Sequence, residues 1–204
     1  EEDVFQERRK EFCEKIEETA RAEAAALAES GYYSSAIQRL QEAIDFLGDR
    51  ASKDLPHLQE VYNSYLPVSL LALAVSSTDM TEKDSIHWNE NLTDSQGAAH
   101  GSSLSMTSGS ITYDLNGKYR SLKGTVAFPQ NATSTAVAPA ARLEIYGDGA
   151  LIWNSGEVNA AVNPMEMSLN VSKFNKLSFK WVCTGLGLWN DWGHFATLYD
   201  PQLQ

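Results

Sequence analysis

Residues 110–117 read Ser110-Ile111-Thr112-Tyr113-Asp114-Leu115-Asn116-Gly117. In an extended chain Ile111, Tyr113 and Leu115 point to one side, and Ser110, Thr112 and Asp114 to the other. Strands that alternate in this way bury one face, as the strands of antiparallel sheets do. Asn116-Gly117 then closes the run with the dipeptide that best tolerates the positive φ of a tight turn. The same code repeats on both sides. Residues 119–128 alternate through Leu122, Gly124, Val126 and Phe128 and stop at Pro129. After a polar loop, residues 141–146 alternate, turn at Gly147-Asp148-Gly149 and continue as Leu151-Ile152-Trp153. Residues 165–171 and 177–183 alternate again, and a last strand over 195–199 ends at Asp200-Pro201. Upstream, residues 68–75 form a short apolar run with β-branched ends, read as a buried opening strand. Short strands separated by turn chemistry predict an antiparallel β-sandwich.

Residues 1–64 are built differently. Phe5, Phe12, Ile16, Ala20, Ala24 and Leu27 recur at helical spacing, and Gly31 ends the stripe. A second helix over 34–47 carries Ala36, Ile37, Leu40, Ala43, Ile44 and Leu47 on one face, with Gly48 at its end. A third starts at Asp54, read as its N-cap, with Pro56 in the first turn and Leu55, Leu58, Val61 and Tyr62 following. Pro67 disfavours continuation. The expected organisation is α+β with two domains: helices over 1–64 and an antiparallel β-sandwich over 65–204.

Composition narrows the function. The 204 residues carry a net charge of −11, which argues against a phosphate-binding basic face and so against a nucleic-acid partner. No run of about 18 apolar residues exists, so no helix is expected to insert into a membrane. Cys13 and Cys183 are too few for a zinc site or a disulfide framework, and both read as free or buried thiols.

The helical pair resembles a tetratricopeptide repeat through Gly31-Tyr32-Tyr33, Ala36-Ile37, Leu40 and Ala43-Ile44. Small residues at Ala24, Ala36 and Ala43 would let two helices approach while Tyr33 and Leu40 fill the gap. In the second part, the succession 111–119, then Leu143-Glu144-Ile145-Tyr146-Gly147-Asp148-Gly149, then Trp153-Asn154-Ser155-Gly156 resembles the NPCBM family of carbohydrate-binding modules. Thr93-Asp94 to Gly97 and Gly101-Ser102-Ser103-Leu104 match its early loop and the segment after it, and 65–73 its opening strand. The resemblance implies a jelly-roll sandwich of the galactose-binding-like kind, attached to glycoside hydrolases or surface proteins, and hence an extracellular or cell-surface setting. The family ends on an acidic and aromatic cluster. Here that region has Asp191 at the first acidic position, with His194 and Phe195 at those of the second acid and the tryptophan.

Catalysis finds no support in the motifs. No spacing singles out a pair of carboxylates for glycoside hydrolysis. His57, His87, His100 and His194 are scattered, and neither a nucleophile elbow nor a phosphate loop is present. Sugar recognition needs exposed aromatic faces beside hydrogen-bonding side chains. Two segments offer both, each read as a loop: Trp88 within 87–90, and Trp189, Asn190, Asp191, Trp192 and His194 within 189–194. Trp153 and Trp181, inside strands, are read as core. A structural calcium would take oxygen ligands from Asp94 and neighbouring carbonyls. The expected function is a non-catalytic glycan-binding module joined to a helical unit that offers a face to a protein partner. The competing reading is a protein-interaction or spacer module without a sugar ligand.

Overall fold

The computed structural model describes residues 2–79, 86–90, 92–106, 108–130, 141–183 and 196–204, with the side chains of Asp3, His87 and Cys183 left aside. The segments 189–194 and 131–140 therefore lie outside the described residues. The chain divides into two compact units, 1–66 and 67–204.

The first unit holds α1 (Glu2–Glu29), α2 (Tyr33–Leu47) and α3 (Asp54–Asn63). Ala20, Ala24 and Ala36 are fully buried and Ala43 nearly so, which brings α1 and α2 close, and Leu40 and Leu55 fill the space between them. Tyr33 stacks on Tyr65 at 4.9 Å between ring centroids. Asp54 is not the cap of α3: the helix already includes it, and the cap position is Lys53 without a side-chain bond. Asp54 instead lies 3.4 Å from Arg21 of α1.

Among the described residues of the second unit, the strands form two antiparallel sheets. One sheet is ordered β3 (Ile86–Trp88), β4 (Ser103–Met106), β11 (Thr197–Leu203), β6 (Ser121–Ala127) and β9 (Met165–Asn170), with β1 (Val68–Ser69) also on β11. The other is ordered β2 (Val75–Thr78), β5 (Gly109–Asp114), β10 (Lys176–Cys183), β7 (Ala141–Gly147) and β8 (Ala150–Asn154). Leu104, Met106, Leu122, Val126 and Leu198 from the first meet Ile111, Tyr113, Leu143, Ile145, Phe179 and Trp181 from the second in one core. This is the expected sandwich, and its alternating residues face as the period-two reading requires.

Three local expectations are corrected. The opening run is not one buried strand: Ser69 Oγ accepts the Leu71 N–H and caps a 3₁₀ turn over Leu70–Ala72, and β2 after it is exposed throughout. Asn116-Gly117 adopts the expected positive φ of 52° and 66° and carries the chain from one sheet to the other, because β5 pairs with β2 and β10 while β6 pairs with β11 and β9. The last strand does not stop at Asp200-Pro201. A register shift between Tyr199 and Gln202 absorbs Pro201, and β11 continues to Leu203. Finally, Trp181 is buried as expected, but Trp153 is half-buried and packs on the margin of the core.

Gly147 ends β7 under the ring of Phe174, where an added Cβ would lie 2.6 Å from ring atoms. Gly147→Ala is expected to lower the unfolding free energy by about 1–3 kcal/mol, as overpacking does, measured by urea denaturation. An unchanged midpoint would show that Phe174 swings aside freely.

Candidate functional site

β3 is the edge strand of its sheet, and Trp88, Leu104, Leu198 and Val126 stand in one row across it. Leu104 and Leu198 are buried, but Trp88 at the margin keeps 37% of its surface exposed. Trp88 is therefore the last residue of a strand, not a loop residue as its neighbours suggested. Asn89 after it turns into the left-handed region at φ 53°. Its N–H donates to the Ser103 carbonyl (2.9 Å) and its Oδ1 accepts the Ser103 N–H (3.2 Å). Ser103 Oγ donates to the Glu90 carbonyl. The backbone under Trp88 and the exposed Glu90 is thus pinned on both sides.

The chain from 92 to 102 then folds over the outer face of this sheet. Asp94 Oδ1 accepts the N–H groups of Gln96 (2.9 Å) and Ala98 (3.0 Å), which shapes the loop that Gly97 closes at φ 87°. His100 lies between two carboxylates: Nε2 is 3.1 Å from Asp94 Oδ2 and Nδ1 is 3.2 Å from Asp200 Oδ2. Its ring stacks on Tyr199 at 4.0 Å, and Tyr199 is fully buried although it faces away from the core. Asp200, at φ 46° in the irregular part of β11, accepts the N–H groups of Gly101 (3.0 Å) and Ser102 (2.8 Å) through Oδ1. Burial works against ionising Asp94, but the bonds from His100, Ala98 and Gln96 outweigh it and hold the carboxyl below its ordinary range. Burial pushes the Tyr199 hydroxyl well above the usual phenol range.

This cluster tests the calcium expectation at Asp94. Both of its oxygens already meet donors, and the imidazole occupies the space beside Oδ2 where a cation would bind. The residues present do not fit a calcium ion. Among the described residues, no group of three or more His, Cys, Asp or Glu is arranged to hold a metal.

The model of the NPCBM/NEW2 domain matches residues 80–199, more than half of the chain. The chain belongs to the NPCBM/NEW2 family. No curated protein matches it. Among solved structures, it is similar to the CBM51-2 and INT domains of Clostridium perfringens ZmpB in complex with GlcNAc, at 14% identity and a TM-score of 0.57, covering 68% of this chain and 31% of that one. It is also similar to CBM51 from Clostridium perfringens GH95 in complex with methyl-galactose, at 17% identity and a TM-score of 0.56, covering 68% of this chain and 100% of that one. The match thus spans under a third of the ZmpB chain. At these identities the likeness is one of fold.

Of the residues expected at a ligand site in the NPCBM domain, Trp88 is described, and Trp189, Asn190, Asp191, Trp192 and His194 lie outside the described residues. The ends of their segment are fixed. Trp181 on β10 donates its indole N–H to the Ala196 carbonyl at 2.6 Å, tying the strand before the segment to the residue after it. Ala196 lies two residues before Leu198, which shares the cross-sheet row of Trp88. Two strand spacings, about 10 Å, separate β3 from β11. His100 and Asp200 were missed by sequence reading. They stand 100 positions apart, and no local spacing links them.

Proposed function

We propose that residues 67–204 form a non-catalytic carbohydrate-binding module whose ligand contacts Trp88 and the segment 189–194. The observation that carries this reading is the exposure of Trp88 at the sheet margin of an NPCBM domain, on a backbone pinned by Asn89 and Ser103. An indole held in this way presents an apolar face to sugar C–H groups without a large ordering cost on binding. Glu90 beside it, with Asn190, Asp191 and His194 from the other segment, supplies groups that bond hydroxyls. The sugar-bound CBM51 structures of the same fold support the assignment of ligand class.

The test is a glycan array probed with the whole chain, followed by calorimetry of the best ligand. Trp88→Ala should weaken binding about fivefold or more, where 1.4 kcal/mol corresponds to tenfold, with little change in melting temperature. Trp189→Ala and Trp192→Ala should do the same. An array without a glycan hit, or a Trp88→Ala protein that binds normally, would overturn the assignment.

A further inference from the structure

α1 is 28 residues long and α2 is 15, or roughly 42 Å against 22 Å at 1.5 Å per residue. The face of α1 that packs in the helical core runs through Ala20 and Ala24, with Cys13 and Ile16 partly buried at its end. One and two turns further toward the N-terminus the same face carries Arg9 and Gln6. There it lines an open groove of about 400 Å³, whose other wall is Arg50 and Ser52 from the turn before α3.

That second wall is held in place. The Ser52 N–H donates to Glu17 Oε1 at 2.7 Å, and Arg21 donates to both Glu17 Oε2 (3.1 Å) and Ser52 Oγ (3.0 Å). Glu17 is therefore committed to Arg21 and Ser52, and Glu14 lies 3.8 Å from Lys10. Among the described residues, Arg9 and Arg50 have no ion-pair partner. The flank of the groove is apolar: Phe5 and Phe12, on the adjoining face of α1, are 64% and 58% exposed. A chain of net charge −11 thus presents two guanidiniums without an ion-pair partner, beside Glu14 and Glu17, at a groove where a core-facing helix surface continues with no further helix among the described residues of the first unit.

We propose that this groove docks an acidic amphipathic helix of a partner protein, with carboxylates on Arg9 and Arg50 and an apolar face over Cys13 and the Phe5–Phe12 flank. A helix fits because α1 meets α2 and α3 along this same face, so a further helix extends packing already present. Acidic residues fit because a guanidinium takes a carboxylate through two parallel bonds. A second copy fits less well. A two-fold pair sets the same patch against itself, so one interface would hold the Arg9 and Arg50 guanidiniums of both copies.

The probe is a fluorescein-labelled helical peptide with leucines at alternating third and fourth positions and glutamates between them, compared with the same peptide carrying glutamines. Anisotropy is read against the whole chain, and alkylation of Cys13 by iodoacetamide is followed by peptide mass spectrometry. The glutamate peptide should bind, weaken as salt rises and slow Cys13 alkylation. The glutamine peptide, or an Arg9→Glu/Arg50→Glu protein of unchanged helicity, should lose about tenfold in affinity. Arg9→Gln/Arg50→Gln should lie between. The proposal is overturned if the glutamate peptide does not bind, if both peptides bind alike, if the charge-reversed protein binds as before, or if the protein alone self-associates with Cys13 already protected.

Discussion

Trp181→Ala is expected to remove about 3–5 kcal/mol of unfolding free energy from the β-sandwich, the range for deleting a fully buried aromatic side chain. Trp181 heads the fully buried side chains by size and packs beside Phe179 at 6.2 Å between ring centroids. The substitution leaves a cavity between the sheets, and it also strips the Ala196 carbonyl of its indole donor. Urea denaturation followed by the remaining tryptophans reads this unit alone, because every tryptophan of the chain lies at position 88 or later. Trp181→Phe separates the two contributions. It keeps most of the packing but not the N–H, so it should cost about 1–2 kcal/mol. A loss below about 1 kcal/mol for Trp181→Ala would mean that the two sheets close over the gap.

His100→Ala is expected to cost about 1–3 kcal/mol at neutral pH, since it takes a hydrogen-bond partner from a buried carboxylate. Asp94 is only 1% exposed and holds the imidazole at its Oδ2, and Tyr199 loses its stacked neighbour as well. The pH dependence follows from the direction of the Asp94 shift. A carboxyl that ionises more readily in the folded state contributes stability above its unfolded value, near 3.8, and loses it as pH falls through the folded value. Glu17 and Glu144 are shifted the same way, so acid should weaken both units. Thermal melts between neutral pH and pH about 2 should therefore decline below pH about 4, and Asp94→Asn should flatten the part of that decline carried by the sandwich. A decline of equal size in Asp94→Asn would assign the acid sensitivity to other carboxylates.

The architecture was legible because burial imposes a period on the sequence. Ile111, Tyr113, Leu143, Ile145 and Phe179 had to alternate for two sheets to close on one core, and Ala20, Ala24, Ala36 and Ala43 had to recur at helical spacing for two helices to touch. Local chemistry misled where a tertiary contact was stronger. Asp54 looked like a helix cap and serves Arg21. Asn116-Gly117 makes the tight turn it reads as, and only the fold shows that it joins two sheets, since the dipeptide sets the bend and not the partner of the next strand. Pro201 looked like a strand terminator, and the irregular stretch at Asp200 carries the strand past it.

The residues at the candidate site divide along the same line. Trp88 could be singled out from sequence as an aromatic among polar neighbours, but its exposure depends on its place at the margin of a sheet whose next strand, β4, is buried on both faces. The Asp94–His100–Asp200 cluster was invisible in sequence because hydrogen bonds act over about 3 Å of space and no periodicity marks residues that meet only when the chain returns. The sequence by itself determined the two kinds of unit, the helix stripes and the alternating strands, since these arise from interactions between near neighbours and from the demand that one face be dry. The tertiary structure alone decided which strand pairs with which, and which carboxylates share one imidazole, because those depend on contacts that no neighbouring residue encodes.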